Sequence, residues 1–442
     1  MKIPTRKIAI AGAMTGLTSI SMAAAIEYRD PLDIAVAPPE AAGAERTDRL
    51  VFYVGNNLAY DNNLYRLPRS FTDLSTLPGI GSSPDRKDYI ETITGGLDAE
   101  WLYGGRQSVD VDLRADYNRY FRNQDLDNVS TSDRVVWNWG LTDALSGKIG
   151  SDYTRLLGGF TNTAVYSRDI VNRTDYFGSL RYQVGPRWGL FGGVMGTDYS
   201  VTAAQATFNN SKSKGVDLGA DYSGETNRIG FDYRYNDSRA GNSAFLNGVL
   251  FDPDYREDRA RVLVRYALSE KTVLDASAGY LKRQYPSTAI GSFAGEIWRV
   301  ALQWQPTPKT QLLFGAWQQL DADLTAQTDY FVDKGASITP EWIASEKLTF
   351  SASISRDNEN YIGSNPIGAI LTSPIPVTLT QARHDTVTGE TGNMIYTPIR
   401  AITVTVSAAH VARDSNISQF HFNDIQGSVN IVYKFFRYGN VP

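Results

Sequence analysis

Residues 90–121 read IETITGGLDAEWLYGGRQSVDVDLRADYNRYF, two alternating runs that meet at Gly104-Gly105. Apolar side chains occupy one phase of both runs, and Thr, Asp, Glu and Arg occupy the other. The apolar phase is Ile93, Leu97, Ala99, Trp101, Tyr103, Val109, Val111, Leu113, Ala115, Tyr117 and Phe121. Because successive strand side chains point to opposite faces, each run predicts a ribbon with one apolar and one charged face. Two such ribbons joined by Gly-Gly predict a β-hairpin.

The same hairpin recurs along the chain at intervals of roughly forty residues. Tight turns are predicted at Gly104-Gly105, Thr142-Asp143, Gly185-Pro186, Gly224-Glu225, Ser269-Glu270, Thr307-Pro308, Ser345-Glu346 and Thr397-Pro398. Longer connections rich in Asn, Asp, Ser, Gly and Pro separate them. With one strand at residues 50–62 and one at 422–436, the pattern predicts about eighteen strands.

Short turns at one end and long loops at the other are typical of an outer-membrane barrel. We therefore predict an all-β, antiparallel up-and-down transmembrane barrel, monomeric, with a polar lumen. The short turns and both termini would face the periplasm. A soluble β-propeller also repeats every forty residues or so, but its four strands per repeat and recurrent signature are missing.

Composition and the N-terminal residues indicate export from the cytoplasm. The chain has 442 residues, no cysteine and a net charge of -5, and it has no basic run that would indicate a nucleic-acid partner. Residues 1–25 predict a signal peptide, 26–48 a flexible periplasmic leader, and 49–442 the barrel. No long apolar segment follows residue 25, which excludes a helical membrane protein.

Aromatic residues indicate where the membrane interfaces lie. Six tryptophans near tight turns predict one aromatic belt: Trp101, Trp137, Trp139, Trp188, Trp304 and Trp342. Aromatic residues at the loop ends of strands predict a second belt: Phe121, Tyr199, Tyr235, Tyr280, Trp317, Tyr330 and Tyr361.

The charged phase is expected to line the lumen, because an Arg or Lys facing lipid at mid-membrane costs about 2–4 kcal/mol. The predicted lumenal charges are Asp110, Asp112, Arg114, Asp116, Asp232, Arg234, Arg259, Arg261, Arg265 and Arg299. Arg259, Arg261 and Arg265 share one strand. Two interpretations are equally compatible with them, a basic ladder that binds an acidic glycan and a structural lattice with carboxylates on neighbouring strands.

Catalytic and metal-binding chemistry is poorly represented, and we expect neither an enzyme nor a cofactor. Only His384, His410 and His421 are available as bases, and His384 and Asp385 must face opposite sides of a strand. Asp125/Asp127 and Asp321/Asp323 lack the spacing of a known calcium loop and are interpreted as solvated loop tips.

Short motifs give the chain a family resemblance. Residues 61–68 read DNNLYRLP, comprising Asp61, Asn63, Leu64, Tyr65, Arg66, Leu67 and Pro68, and residues 126–128 and 137–143 read LDN and WNWGLTD. In these stretches and the 88–121 hairpin, the chain resembles the EpsL-like outer-membrane proteins of exopolysaccharide biosynthesis operons, within the wider group of β-barrel porins. The resemblance implies an outer-membrane route for exopolysaccharide that works with inner-membrane polymerase and export machinery.

Export of a polysaccharide, acidic if the basic ladder binds it, is therefore the leading functional hypothesis, with the lipid bilayer and export proteins as the other partners. The alternative is an uptake porin for small solutes or oligosaccharides, and a hydrolase is the third hypothesis. Residues 360–379 combine isoleucines with three prolines. We expect this apolar loop to fold into the barrel mouth and gate it.

Overall fold

The computed structural model describes most of the chain from residue 48 to residue 438. The described ranges are 48–77, 80, 84–161, 166–203, 210–241, 244–246, 249–286, 291–322, 330–362 and 382–438. The predicted signal peptide and nearly all of the leader lie outside them. The apolar loop at 360–379, apart from its first three residues, lies outside them too.

Eighteen long strands form one antiparallel sheet. They are β1 (Arg49–Asp61), β2 (Asp88–Tyr103), β3 (Gln107–Tyr120), β4 (Asn128–Gly140), β5 (Leu145–Leu157), β6 (Ile170–Val184), β7 (Trp188–Val201), β8 (Ser211–Ser223), β9 (Arg228–Ala240), β12 (Tyr255–Ser269), β13 (Thr272–Gln284), β14 (Phe293–Thr307), β15 (Thr310–Ala322), β16 (Tyr330–Ser345), β17 (Leu348–Ile362), β18 (His384–Ile399), β19 (Ile402–Ser415) and β20 (Phe422–Tyr438). The connection after β9 contains a separate two-stranded hairpin, β10 (Ala244–Leu246) and β11 (Val249–Phe251).

The sheet closes on itself. Each long strand pairs with its neighbours in the chain, β9 pairs with β12, and β20 pairs with β1 from Arg49↔Tyr438 to Asp61↔Gln426. Closure leaves no strand edge unpaired, which is the condition for a sheet to cross a membrane. The predicted eighteen-stranded up-and-down barrel is confirmed.

The tight turns all lie at one end of the barrel, which we call the turn end, and the long connections lie at the loop end. Seven predicted turns fall at a strand junction. The turn predicted at Thr397-Pro398 is wrong, since β18 continues to Ile399 and the chain reverses at residues 400–401. Pro398 lies in an irregularity of the ladder between Tyr396 and Ile399, where a residue without an N–H is tolerated.

The outward phase of the strands is apolar over most of its height. Val194, Leu218 and Ile354 are among its members, with Ile354 57% exposed. The six tryptophans of the first predicted belt all lie on this phase beside the tight turns.

Membership of the second belt is partly wrong. Tyr235 and Tyr280 are exposed on the outward phase, but Trp317, Tyr330 and Tyr361 are not. Trp317 and Tyr361 share the inward phase with carboxylates, and Tyr330 is buried against Phe293.

Helical structure is sparse in the described part of the chain. It consists of three 3-10 turns, at Leu74–Thr76, Gln124–Leu126 and Ser418–Phe420. No helix within the described ranges is long and apolar enough to cross a membrane.

The two faces of β16 give a direct test of the orientation of its side chains. Ile338→Arg places a cation on the outward face near mid-membrane, opposite Phe314 and Ile354, and should lower the free energy of unfolding by about 2–4 kcal/mol. Ser337→Arg, one residue along and facing inward, should change it much less. Guanidinium titration in lipid vesicles, with heat-modifiable gel migration as the readout of folded barrel, measures both. Equal losses in the two variants would mean that the faces are assigned wrongly.

Candidate functional site: the lumen and its mouth

The loop end of the lumen contains an apolar core, which we call the mouth core. Its buried members come from the inward faces of β1, β2, β3 and β19 and from three connections, 62–87, 121–127 and 158–169. They are Ala59, Leu64, Tyr65, Leu67, Leu77, Ile90, Tyr120, Leu126, Phe160 and Ala409. The prediction of a polar lumen is therefore wrong at this end. The inward phase becomes apolar there because the loops fold over it.

Tyr65 lies at the centre of the mouth core. Its ring packs 4.9 Å from that of Phe160 and 6.3 Å from that of Tyr166, and its hydroxyl donates to Asn123 Oδ1 at 2.9 Å. One side chain thus joins all three connections. Burial, followed by repulsion from Asp88, raises the pKa of Tyr65, and burial raises the pKa of Tyr166 to about 12. Both phenols therefore stay neutral and packed at physiological pH.

An ion-pair cluster fixes the start of connection 62–87 to the barrel wall. Arg66 Nη1 lies 3.1 Å from Asp61 Oδ2 and 3.2 Å from Asp424 Oδ2. Gln426 donates to the same two carboxylates, at 3.0 Å and 2.6 Å. Arg66 has a φ of 54°, a left-handed conformation uncommon for a residue with a side chain. The cluster holds it there, across the junction of β20 with β1.

Other residues of the DNNLYRLP stretch also help to fix connection 62–87 in place. Asn63 donates to the carbonyls of Leu67 and Asn423, at 2.9 Å and 3.0 Å. Arg86, later in the connection, donates to the carbonyls of Leu67, Pro68 and Phe71. The motif that carries the family resemblance therefore builds the mouth. Sequence patterning singled it out but gave no indication of this role.

Asp85, in connection 62–87, links this connection to connection 121–127. Asp85 pairs with Arg122 across the gap between 62–87 and 121–127. Burial would raise the pKa of Asp85, but hydrogen bonds from the Lys87 N–H and from Arg122 outweigh it and lower that pKa. The carboxylate is thus held ionised, in the state that binds Arg122.

The connection at 158–161 reaches from β5 to β19 over the loop end of the lumen. Arg413 on β19 donates to the carbonyl of Thr161 at 2.9 Å, although five strands separate β5 from β19 around the barrel. Arg413 is itself held by Glu359 and Asp385, each at 3.4 Å. Since Phe160 belongs to the mouth core, this contact joins β19 to the mouth core through the connection.

A second arginine, Arg383, stabilises the same part of the barrel wall. Arg383 lies 2.6 Å from Asp385, and its guanidinium stacks 4.0 Å from the Tyr361 ring centroid and 3.7 Å from that of Phe420. Both arginines at this wall are buried. A cation enclosed by carboxylates and ring faces is stabilised by charge and by cation–π attraction.

The predicted lumenal charges all lie on inward phases of β3, β9, β12 and β14. They pair with one another or with neighbours. Arg114 contacts Asp116, Arg234 contacts Asp217, and Arg261 contacts Asp232 at 2.9 Å. Arg299 also takes part in polar interactions. Similar pairs outside the predicted set join Arg134 to Asp152, Arg173 to Asp175, Arg181 to Asp221 and Arg283 to Glu257.

On β12, two of the three arginines fit the interpretation of a structural lattice with carboxylates on neighbouring strands. Arg261 and Arg259 both approach Asp232, which is 1% exposed, at 2.9 Å and 3.8 Å. Arg265 differs, because its side chain is 59% exposed and faces Asp275 at 3.2 Å. A continuous row of available cations is therefore not formed.

Carboxylates predominate at two other places on the lumen wall. On β2 and β3, near the turn end, Asp98 stands directly opposite Asp112, and Glu100 opposite Asp110. Arginines flank these rungs, since Arg49 pairs with Asp98 at 2.6 Å and Arg134 stands opposite Asp112. On β15 to β17, near the loop end, Asp333 stands opposite Glu359, and Asp357 is one rung away. Trp317 donates to Asp333 at 2.6 Å. These acidic stretches went unremarked because only their cross-strand register brings them together.

No group of three or more potential metal ligands is arranged for an ion within the described ranges. The interpretation of Asp125/Asp127 and Asp321/Asp323 as solvated loop tips stays a prediction. Asp127 accepts a hydrogen bond from the Tyr120 N–H, and Asp323 lies outside the described residues. His410 and His384 both lie on outward phases, next to Glu390 and Asn360 respectively.

Comparison with known proteins gives one family match. Residues 254–435, from β12 to β20, match the family model described as "Putative beta-barrel porin 2". No curated protein matches the chain.

Several solved structures are similar to the chain. OccK2 (OpdF) of Pseudomonas aeruginosa is 10% identical, over 89% of this chain and 98% of that one, with a TM-score of 0.49. OpdQ of the same organism is 11% identical over 88% and 99%, with a TM-score of 0.49. OccAB3 of Acinetobacter baumannii is 10% identical over 88% and 99%, with a TM-score of 0.47.

Removing Tyr65 should both destabilise and widen the mouth. Tyr65→Ala leaves a cavity shared by three connections and should lower the free energy of unfolding by about 3–5 kcal/mol. Single-channel conductance in planar bilayers should rise as the connections loosen. Tyr103→Ala, at a position 76% exposed beside a tight turn, is the matched control and should change neither quantity. Unchanged conductance in Tyr65→Ala would show that the mouth core does not limit flow.

The two environments on β12 predict unequal effects of arginine removal. Arg261→Ala leaves the buried Asp232 with only the more distant Arg259, and should cost about 1.5–3 kcal/mol of unfolding free energy. Arg265→Ala breaks an exposed pair worth about 0–1 kcal/mol. Guanidinium unfolding curves compare the two. A larger loss of unfolding free energy in Arg265→Ala than in Arg261→Ala would contradict the interpretation of a structural lattice.

Proposed function

We propose that the protein is a passive outer-membrane channel for small hydrophilic solutes. The observation that carries this is the mouth, where connections 62–87 and 158–161 fold over the lumen and are fixed by buried contacts to β1, β20 and β19. A barrel of eighteen strands is otherwise wide enough for an aqueous channel. A mouth narrowed in this way admits small solutes more readily than a polymer.

The acidic stretches suggest which solutes pass most easily. Like charges placed directly opposite on neighbouring strands are destabilising, and the rungs of β2 and β3 repeat this twice in succession. Carboxylates lining a water-filled path raise the local concentration of cations. Neutral and cationic solutes are therefore favoured over anions, and an acidic glycan is the least suited.

Export of exopolysaccharide is the second candidate function. What favours it is the DNNLYRLP stretch, which resembles the exopolysaccharide family and builds the mouth. In this role the mouth would open when periplasmic or inner-membrane export proteins engage the barrel, and the leader at 26–48 would be the tether that docks on them.

Proteoliposomes provide the first test. Swelling rates should be high for monosaccharides and fall steeply with chain length, and a potassium chloride gradient should give a reversal potential of the cation-selective sign. Glu100→Gln combined with Asp110→Asn should reduce that potential. Anion selectivity, or equal swelling with sugars of every length, would contradict the proposal.

A deletion strain then separates the two candidates. A small-solute channel predicts slower uptake of small sugars with normal surface polysaccharide. An exporter predicts loss of surface polysaccharide with normal uptake, and this result would replace the first candidate by the second.

A further inference from the structure

The outward face near the loop end carries charged side chains, and most of its cations stand directly opposite a carboxylate. Arg119 is opposite Glu91, Lys214 and Arg256 are opposite Asp237, and Lys282 is opposite Asp258. Lys212 pairs with Asp198 at 2.8 Å. Such pairs need no further partner.

Lys334 on β16 and Arg356 on β17 are different. Both are exposed on the outward phase. Lys334 stands opposite Gln318 and Asn358, and Arg356 opposite Ala336 and Thr388. Within the described ranges neither forms an ion pair with a carboxylate, and no acidic side chain shares the outward face of β15, β16 or β17. On β18, Glu390 is a diagonal neighbour of Arg356 and lies 3.7 Å from His410.

The register places the two cations close together. Lys334 pairs with residue 358 and Arg356 with residue 336, so they are diagonal neighbours on adjacent strands. Diagonal neighbours lie about 7–8 Å apart at their backbones, within reach of one another's long side chains. The pair therefore forms one compact site of double positive charge.

Its height along the barrel matches the outer surface of the bilayer. Lys334 lies eight residues along β16 from Trp342 in the tryptophan belt. At about 3.3 Å per residue and a tilt near 40°, this is about 20 Å of depth. The apolar band of such barrels is about 25 Å tall, so a long side chain pointing upward reaches the headgroup level.

The surface beside Arg356 is concave and carries both polar and apolar side chains. A groove of about 320 Å³ is lined by Arg356, Thr386, Thr388, His421, Asn423 and Asp414, together with Ala412, Phe422 and the buried Arg413. The carboxylate in the groove, Asp414, lies 3.3 Å from His421. Hydroxyl and amide groups next to a guanidinium suit the phosphate and sugar of a glycolipid headgroup.

We propose that Lys334 and Arg356 bind a phosphate group of lipopolysaccharide, the phosphorylated glycolipid of the outer leaflet. The geometry provides two unpaired cations, at the depth of that headgroup, beside this groove. The site faces lipid rather than the lumen and is independent of which solute the channel carries.

Native mass spectrometry of the purified full chain in detergent tests the assignment, with bis-phosphorylated lipid A as the probe. Lys334→Gln combined with Arg356→Gln should bind the probe about ten-fold more weakly or worse, since two charge-assisted contacts are lost. The matched control is Lys214→Gln combined with Lys282→Gln, two outward cations that stand opposite carboxylates. This control should change binding by less than about two-fold.

Lipid A stripped of both phosphates should bind the wild type as weakly as intact lipid A binds the Lys334/Arg356 variant. Heat-modifiable migration of every variant verifies that the barrel has folded. Unchanged binding in the Lys334/Arg356 variant, or equal binding of phosphate-free lipid A, would overturn the proposal. A wild-type oligomer that this variant dissociates would assign the site to a second copy of the chain and overturn it as well.

Discussion

The closed ladder of backbone hydrogen bonds is the constraint on which the rest of the molecule depends. Hydrocarbon offers no partner for an N–H or C=O group, so every strand must be paired on both sides. The pairing of β20 with β1 completes this condition. Because side chains alternate, closure also divides each strand into a lipid face and a lumen face. Ile354 and Ser355 are neighbours in the chain and yet belong to different environments.

Because the charged side chains face the lumen, they must find partners within the lumen wall. Asp232 and Asp221 are almost fully buried in the wall. Arg261 of the adjacent β12 holds Asp232, and Asp221 is held by Arg228 of the adjacent β9 and by Arg181 of β6, which reaches across β7. The desolvation of a lone carboxylate would be costly, and breaking such a pair is more costly than never having formed it. Arg228, Arg234, Arg259 and Arg261 are therefore committed to the wall. On β2 and β3 the carboxylates outnumber the arginines that face them, and this argues for a path that favours cations.

Sequence periodicity predicted the strands because alternation is a local property that each strand displays by itself. It placed Asp110, Asp232 and Arg261 on one phase for the same reason. It could not predict the mouth core, since Tyr65, Phe160 and Asn123 meet only after three connections fold into the barrel. Trp317 was assigned to a belt because its position near a strand end outweighed its phase, which the register of β15 with β16 decides. Pro398 looked like a turn because the bulge that accommodates it depends on the partner strand.

Departures from alternation occur at the loop end on both faces. Ile90 and Tyr120 are apolar on the inward phase, because they support the connections that narrow the mouth. Lys334 and Arg356 are charged on a face that is largely apolar below them. In the orientation that the sequence predicts, the loop end faces the outside medium and the charged outer leaflet. The barrel's own connections therefore account for the inward exceptions, whereas the outward cations can interact only with a group outside the barrel wall.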